Sequence, residues 1–159
     1  MGCPALTDED DMGTRENKAT AVAVHTQALP GGHAGTLAAF LAPGFVSHDG
    51  AFGSDCRPGA DGASTLLARM HVFGDAFEDQ RVRVLHAVAE GDVVALHLET
   101  SARHTGYFHG VPPTGRRVVV REMHMLRFAD GHEAEHWCVR DEAALLRALV
   151  HETAPALAR

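Results

Sequence analysis

Two segments in the C-terminal half of the chain carry the residues best suited to moving protons. Glu122-Met123-His124 lies in an alternating apolar run, so a carboxylate and an imidazole project from one face of a strand. His136-Trp137-Cys138 sets an imidazole and a thiol at the same spacing in the next run. A carboxylate whose pKa is raised by an apolar pocket takes a proton from carbon beside a carbonyl and can return it to an alkoxide. A buried thiol stays neutral, and becomes a base or nucleophile only beside a group such as His124.

Whether the two segments share a face turns on Asp130-Gly131 between them, a hairpin signal. As a simple two-residue loop it sets Ala129 opposite His132 and Met123 opposite Cys138, which sends His124 to the other face. With Gly131 in a bulge after a type I turn, Phe128 opposes His132, His124 opposes His136 and Glu122 opposes Cys138. All four then share one face. On an earlier strand His97 and Glu99 alternate, so they line a pocket together or face solvent together. A metal needs three converging ligands, for which His97, Glu99, His124 and His136 are the candidates. No closely paired HxH spacing accompanies them, so neither a metal nor a cofactor is expected. Phosphate-loop and dinucleotide fingerprints are absent, and nothing resembles a nucleophile elbow.

These residues need elements to hold them. Residues 1–13 contain the acidic run Thr7-Asp8-Glu9-Asp10-Asp11 and read as a loose tail, leaving 14–159 as a single domain. Thr14 is placed to cap a helix from Arg15 to about Leu29, with Ala19, Val22, Ala23 and Thr26 at helical spacing. A short helix over His33–Leu41 and an extended piece over Phe45–Asp49 follow. The glycines and proline of 50–62 mark a loop long enough to form a mouth. A third helix spans Ala63 to Phe77. The period then changes: strands are expected over Val82–Ala89, Val93–Arg103, Val118–Phe128 and Glu133–Arg140, and Asp141 caps a final helix. Helices followed by a block of antiparallel strands give an α+β fold. Phe52, Met70, Phe73, Phe77 and Phe108 either line its cavity or pack its core.

Composition narrows the function. A formal charge of −7 repels phosphate backbones, so nucleic acid is not an expected partner. No apolar run approaches the ~20 residues of a membrane span, and the N-terminus lacks a secretory apolar core, so a cytoplasmic protein is expected. Cys3, Cys56 and Cys138 are too few and too scattered for a disulfide framework. With aromatics at only 6%, the 12 histidines are candidates for the polar lining of a cavity.

An ordered series of segments carries a family resemblance over about residues 17–150. It comprises Ala76-Phe77-Glu78-Asp79, Glu90-Gly91-Asp92-Val93-Val94-Ala95, His104-Thr105-Gly106-Tyr107-Phe108-His109-Gly110-Val111-Pro112-Pro113-Thr114-Gly115-Arg116, Arg127-Phe128-Ala129-Asp130-Gly131 and Glu135-His136-Trp137. The chain resembles the SnoaL-like polyketide and ester cyclases of the nuclear-transport-factor-2-like superfamily. The resemblance implies a cone in which a curved mixed or antiparallel sheet wraps N-terminal helices. It also implies a pocket for a small polyketide or related natural product, cofactor-free aldol ring closure, and a homodimer or homotetramer formed through the open sheet face. Val119, Met123 and Met125 would contribute to that face. The family's catalytic aspartate follows the tryptophan of the last strand, and here that position is Cys138; the family histidine corresponds to His124. Cys138 is therefore an inert packing residue, or a bystander to Glu122 as the acid/base, or itself reactive. His48 stands where the family often has a cavity-wall histidine. His104 reads first as holding the strand-to-loop transition and second as a pocket residue. Rival functions are hydrolysis or isomerisation of epoxides or lactones in the same pocket, and binding without catalysis.

Overall fold

The computed structural model describes residues 8–28, 30, 37, 39–48 and 61–150. Helix α1 (Asp8–Ala23) runs into a π-helical turn, Val24–Ala28. Strand β1 (Leu41–Ser47), helix α2 (Gly62–Ala76), strands β2 (Phe77–Glu90), β3 (Val93–His104), β4 (Arg117–Ala129) and β5 (His132–Arg140), and helix α3 (Glu142–Val150) follow. The acidic run from Asp8 is thus helical rather than a loose tail. Thr14 sits inside α1, where its hydroxyl donates to the carbonyl of Gly91 at 3.0 Å instead of capping. The expected helix over 33–41 lies mostly outside the described residues, although Leu41 opens a strand. The loop at 50–62, and Phe52 with it, also falls outside them up to residue 60.

One five-stranded sheet has the order β1-β5-β4-β3-β2 and stays open. Its last four strands are joined antiparallel, and β1 adds parallel to β5. The sheet is therefore mixed. Asp61 caps α2 by accepting from the Ser64 N–H at 3.0 Å, and Asp141 caps α3 by accepting from the Ala144 N–H at 2.9 Å. Along β3 and β4 burial alternates strictly. Val94, Leu96, Leu98, Thr100, Ala102 and His104 point inward from β3, and Val118, Val120, Glu122, His124, Leu126 and Phe128 from β4. Glu122 and His124 therefore occupy the middle of an otherwise apolar stripe.

The Pro- and Gly-rich loop before β4 is held by its own motif. Gly106 packs so closely on the end of α2 that an added Cβ would lie 2.0 Å from the Asp75 carbonyl oxygen. His104 is fully buried; its Nδ1 accepts from the Thr114 N–H at 3.3 Å and lies 3.0 Å from the Thr114 hydroxyl. Phe77, Phe108 and His104 stack together in the core cluster that α3 closes with Leu145 and Leu149. These three residues thus pack the core rather than line the cavity.

The β4–β5 hairpin follows neither expected register. Asp130 and Gly131 both have positive φ, 49° and 74°, as a two-residue turn requires, and Ala129 opposes His132. The extra residue enters further on. Phe128 opposes Glu133 but Arg127 opposes Glu135, so Ala134 is the additional residue of a bulge in β5. Beyond it His124 opposes Cys138, not His136, and Glu122 opposes Arg140, not Cys138.

Candidate active site

The cavity lies between α2 and the inner face of the sheet, with about 640 Å³ of empty space including its open mouth. Leu66, Met70, Phe73, Val82 and Leu98 give it apolar walls. Its polar lining is supplied by Thr100 from β3, Glu122 and His124 from β4, His136 and Arg140 from β5, and His25 from the π-helical turn. Of the residues expected here, Met70, Phe73, Glu122, His124 and His136 line the cavity. Cys138 is half-buried beside it, with Sγ 3.8 Å from His124 Nε2.

Three residues expected in the pocket are on the other side of the sheet. His97 and Glu99 alternate with buried Leu96 and Leu98, and the pleat turns them outward. Glu99 pairs with Arg83 at 2.7 Å and with Arg121 at 3.5 Å, and His97 stacks on His86. His48 follows β1 and lies on the outer face as well. It stacks on Trp137 and lies 2.7 Å from Glu135. Val119, Met123 and Met125 are exposed on this outer face, as expected for positions alternating with Glu122 and His124.

Glu122 is the electrostatic hub. Arg140 donates to its Oε2 from Nε at 2.7 Å and also from Nη2, and Thr100 Oγ1 donates to Oε1 at 2.7 Å. The Arg140 guanidinium also lies 4.9 Å over the Phe73 ring. His124 Nε2 stands 3.5 Å from the same carboxylate. Burial opposes ionisation of Glu122, but the His124 contact and the Arg140 charge outweigh it and hold the carboxyl well below its usual range. Burial likewise disfavours a proton on His124, yet Cys138 and Glu122 beside it push its pKa up to about 9. A buried ionic triad results, compensated by geometry rather than by solvent.

The other ring nitrogen of His124 continues the array. Nδ1 lies 2.9 Å from His136 Nε2, and His136 Nδ1 lies 3.6 Å from Glu133 Oε1. Glu133 is 2% exposed, and burial raises its carboxyl to about 8. His136 is held well below its ordinary value by burial and by the charge on His124. His25 packs edge-on against His124, with ring centroids 4.6 Å apart; burial and the His124 charge lower its pKa to about 3. Its Nδ1–H donates to the Ala21 carbonyl at 2.9 Å, which leaves Nε2 as a buried lone pair without a hydrogen-bond partner among the described residues. At neutral pH the site is therefore an imidazolium, a carboxylate and a guanidinium flanked by two neutral imidazoles.

Sequence reasoning missed His25, Thr100, Glu133 and Arg140. Arg140 carried a usable signal, since it lies two residues beyond Cys138 on the same strand face. His25 carried none, because the π-helical turn breaks the 3.6-residue period by which helical faces are read.

Helices packed against an open mixed sheet in an α+β cone enclose an acid/base array in an apolar cavity. The chain belongs to the SnoaL-like polyketide cyclase family, whose pattern matches residues 19–149. Among solved structures it is similar to AclR of Streptomyces galilaeus, a proposed hydroxylase, with 31% identity and a TM-score of 0.73 over 90% of this chain and 87% of that one. It is also similar to IdmH of Streptomyces antibioticus, a proposed polyketide cyclase, with 29% identity and a TM-score of 0.73 over 84% of this chain and 97% of that one. A proposed SnoaL-like polyketide cyclase from Jannaschia sp. CCS1 shares the fold at 21% identity and a TM-score of 0.74, over 95% of this chain and all of that one. No curated protein matches the chain.

Proposed function

We propose that the protein is a cyclase that closes a ring on a carbonyl-rich, polyketide-like small molecule by intramolecular aldol-type proton transfer. The observation that carries this reading is the Arg140–Glu122–His124 array, buried in the wall of an apolar cavity and flanked by the bare Nε2 of His25. His25 Nε2 takes the proton from carbon beside a carbonyl. The resulting enolate carbon bonds to a second carbonyl carbon, and the oxygen released as alkoxide takes its proton from His124. One imidazole gains a proton as its neighbour loses one, so the net charge of the cavity is unchanged and no buried charge is created. Burial and, after it, the nearby His124 charge keep His25 weakly basic, and the second of these lifts as His124 gives up its proton. Glu122, bound by Arg140 and Thr100, is too weak a base for the first step; it holds His124 in its charged form.

This reading moves the base from Glu122 to His25 and makes Cys138 a neighbour of the acid. Purified protein kept in chelator is incubated with aromatic poly-β-keto esters and followed by mass spectrometry. An isomeric ring-closed product from the wild type, lost in His124→Gln and His25→Gln, is the expected result. Binding without conversion would favour a carrier or binder. Oxygen gained from labelled water or from O₂ would favour hydrolysis or a hydroxylation step, the latter in keeping with the similarity to AclR.

A further inference from the structure

The three buried histidines have an arrangement that proton transfer does not require. His25, His124 and His136 are 2%, 6% and 2% exposed, and one ring nitrogen from each lies within 4.8 Å of the others. In every case the second ring nitrogen faces an oxygen that turns it away from the group. His25 Nδ1 is engaged by the Ala21 carbonyl at 2.9 Å. His124 Nε2 faces Glu122 Oε2 at 3.5 Å, and His136 Nδ1 faces Glu133 Oε1 at 3.6 Å. The inner nitrogens are therefore His25 Nε2, His124 Nδ1 and His136 Nε2. Metal-binding imidazoles are oriented in this way, each with its outer N–H on a carbonyl or carboxylate. Three imidazoles from three elements, converging beside a cavity, also form a ligand set that leaves one coordination position for water or substrate.

From this geometry we infer that His25, His124 and His136 form a binding site for a divalent first-row transition-metal ion, zinc foremost, on the wall of the cavity.

Two observations support a ligand rather than simple packing. His25 Nε2 is a buried lone pair with no hydrogen-bond partner among the described residues, and its ring meets the other two edge-on, with one nitrogen of each ring within 4.8 Å of the others. Glu133 Oε1 and His136 Nδ1 are likewise unpartnered although they face each other. A metal on His136 Nε2 would polarise the ring and draw its Nδ1–H toward a hydrogen bond with the Glu133 carboxyl group. A second potential ligand group, Glu122, His124 and Cys138, shares His124. It is the weaker one, because Arg140 and Thr100 already occupy both oxygens of Glu122. Metal–nitrogen bonds of about 2.0–2.1 Å in tetrahedral geometry set the nitrogens roughly 3.3 Å apart, so His124 Nδ1 and His136 Nε2, which lie 2.9 Å apart, open slightly on binding. The ion displaces the proton of His124, which leaves as H⁺. The metal-bound and acid/base forms of the pocket are then mutually exclusive. The inference goes beyond the cyclase reading and does not depend on it, because metal uptake is measured without turnover.

The test is titration of chelator-stripped full-length protein with Co²⁺, followed by visible absorption and by competition with Zn²⁺. The expected result is a single equivalent giving the intense bands of a tetrahedral nitrogen-ligated ion, displaced by Zn²⁺, with protons released on binding. His25→Ala and His136→Ala should abolish these bands. Glu133→Gln should weaken binding by about 10- to 100-fold. His86→Ala/His97→Ala, on the outer face, should leave the bands unchanged. Circular dichroism of each variant shows whether it is folded; if His25→Ala unfolds, His25→Gln and Glu133→Gln carry the comparison. Failure to take up Co²⁺ or Zn²⁺, octahedral spectra only, or tetrahedral bands that persist in folded His25 and His136 variants would overturn the site.

Discussion

At the scale of single residues, Glu122 is the buried charge on which the others depend. Removing its charge takes the carboxylate partner away from both Arg140 and His124. Glu122→Gln should therefore lower turnover by about 100- to 10,000-fold while the protein still folds, with steady-state kinetics and circular dichroism as the readouts. His124 links the site to stability. Its pKa rises from 6.5 to about 9 in the folded protein. The pairing thus stabilises fully below the unfolded value, and that contribution disappears as pH rises toward 9. Denaturant unfolding of metal-free protein from about pH 6 to about pH 10 should show this loss, and His124→Gln should flatten it. Cys138 makes one long contact, at 3.8 Å to His124. Cys138→Ala should leave turnover within about threefold of wild type by the same kinetic assay; a larger loss would return the thiol to the mechanism. Glu122 and His124 were legible because an alternating run places i and i+2 together. His25 was not, because it sits on a widened helical turn, and Glu133 was read only as the first residue of the last strand.

At the scale of elements, the bulge at Ala134 decides what the last strand contributes. Strict alternation puts residues three apart on opposite faces, yet Glu133 and His136 are both buried. The added residue makes this possible. Deleting Ala134 must turn either Glu133 or the whole set His136, Cys138 and Arg140 to the outer face. The expected outcome is a lower thermal midpoint together with lost turnover. Ala134→Gly keeps the residue count and should retain both. The types and order of β2 to β5, α2 and α3 were readable from the change of hydrophobic period after α2, from turn residues and from Asp141, although β2 starts at Phe77, five residues before the expected Val82. The register of β4 against β5 was not, because a bulge inside a strand carries no glycine or proline to announce it. The choice between pocket and solvent for His97 and Glu99 was equally closed to sequence, since alternation says that residues share a face but not which face.

At the scale of the whole molecule, the α+β cone and its family were legible from the ordered motifs, while the fifth strand was seen only as a short extended piece. Its parallel pairing with β5 joins residues far apart in sequence, which no local pattern encodes. No helix among the described residues is long and apolar enough to cross a membrane. Among the described residues the sheet does not close, and β1 and β2 form its two edges. Both edges are irregular. β1 carries Pro43 and a positive-φ Gly44 within its shifted register, and β2 shifts register twice and carries exposed Arg81 and Arg83. Such kinks and charges refuse a further strand, so the open sheet is guarded against templating aggregation. Replacing Arg81 and Arg83 by valine should therefore show as growing light scattering on gentle warming, because the molecule would then offer its neighbours a flat edge to extend.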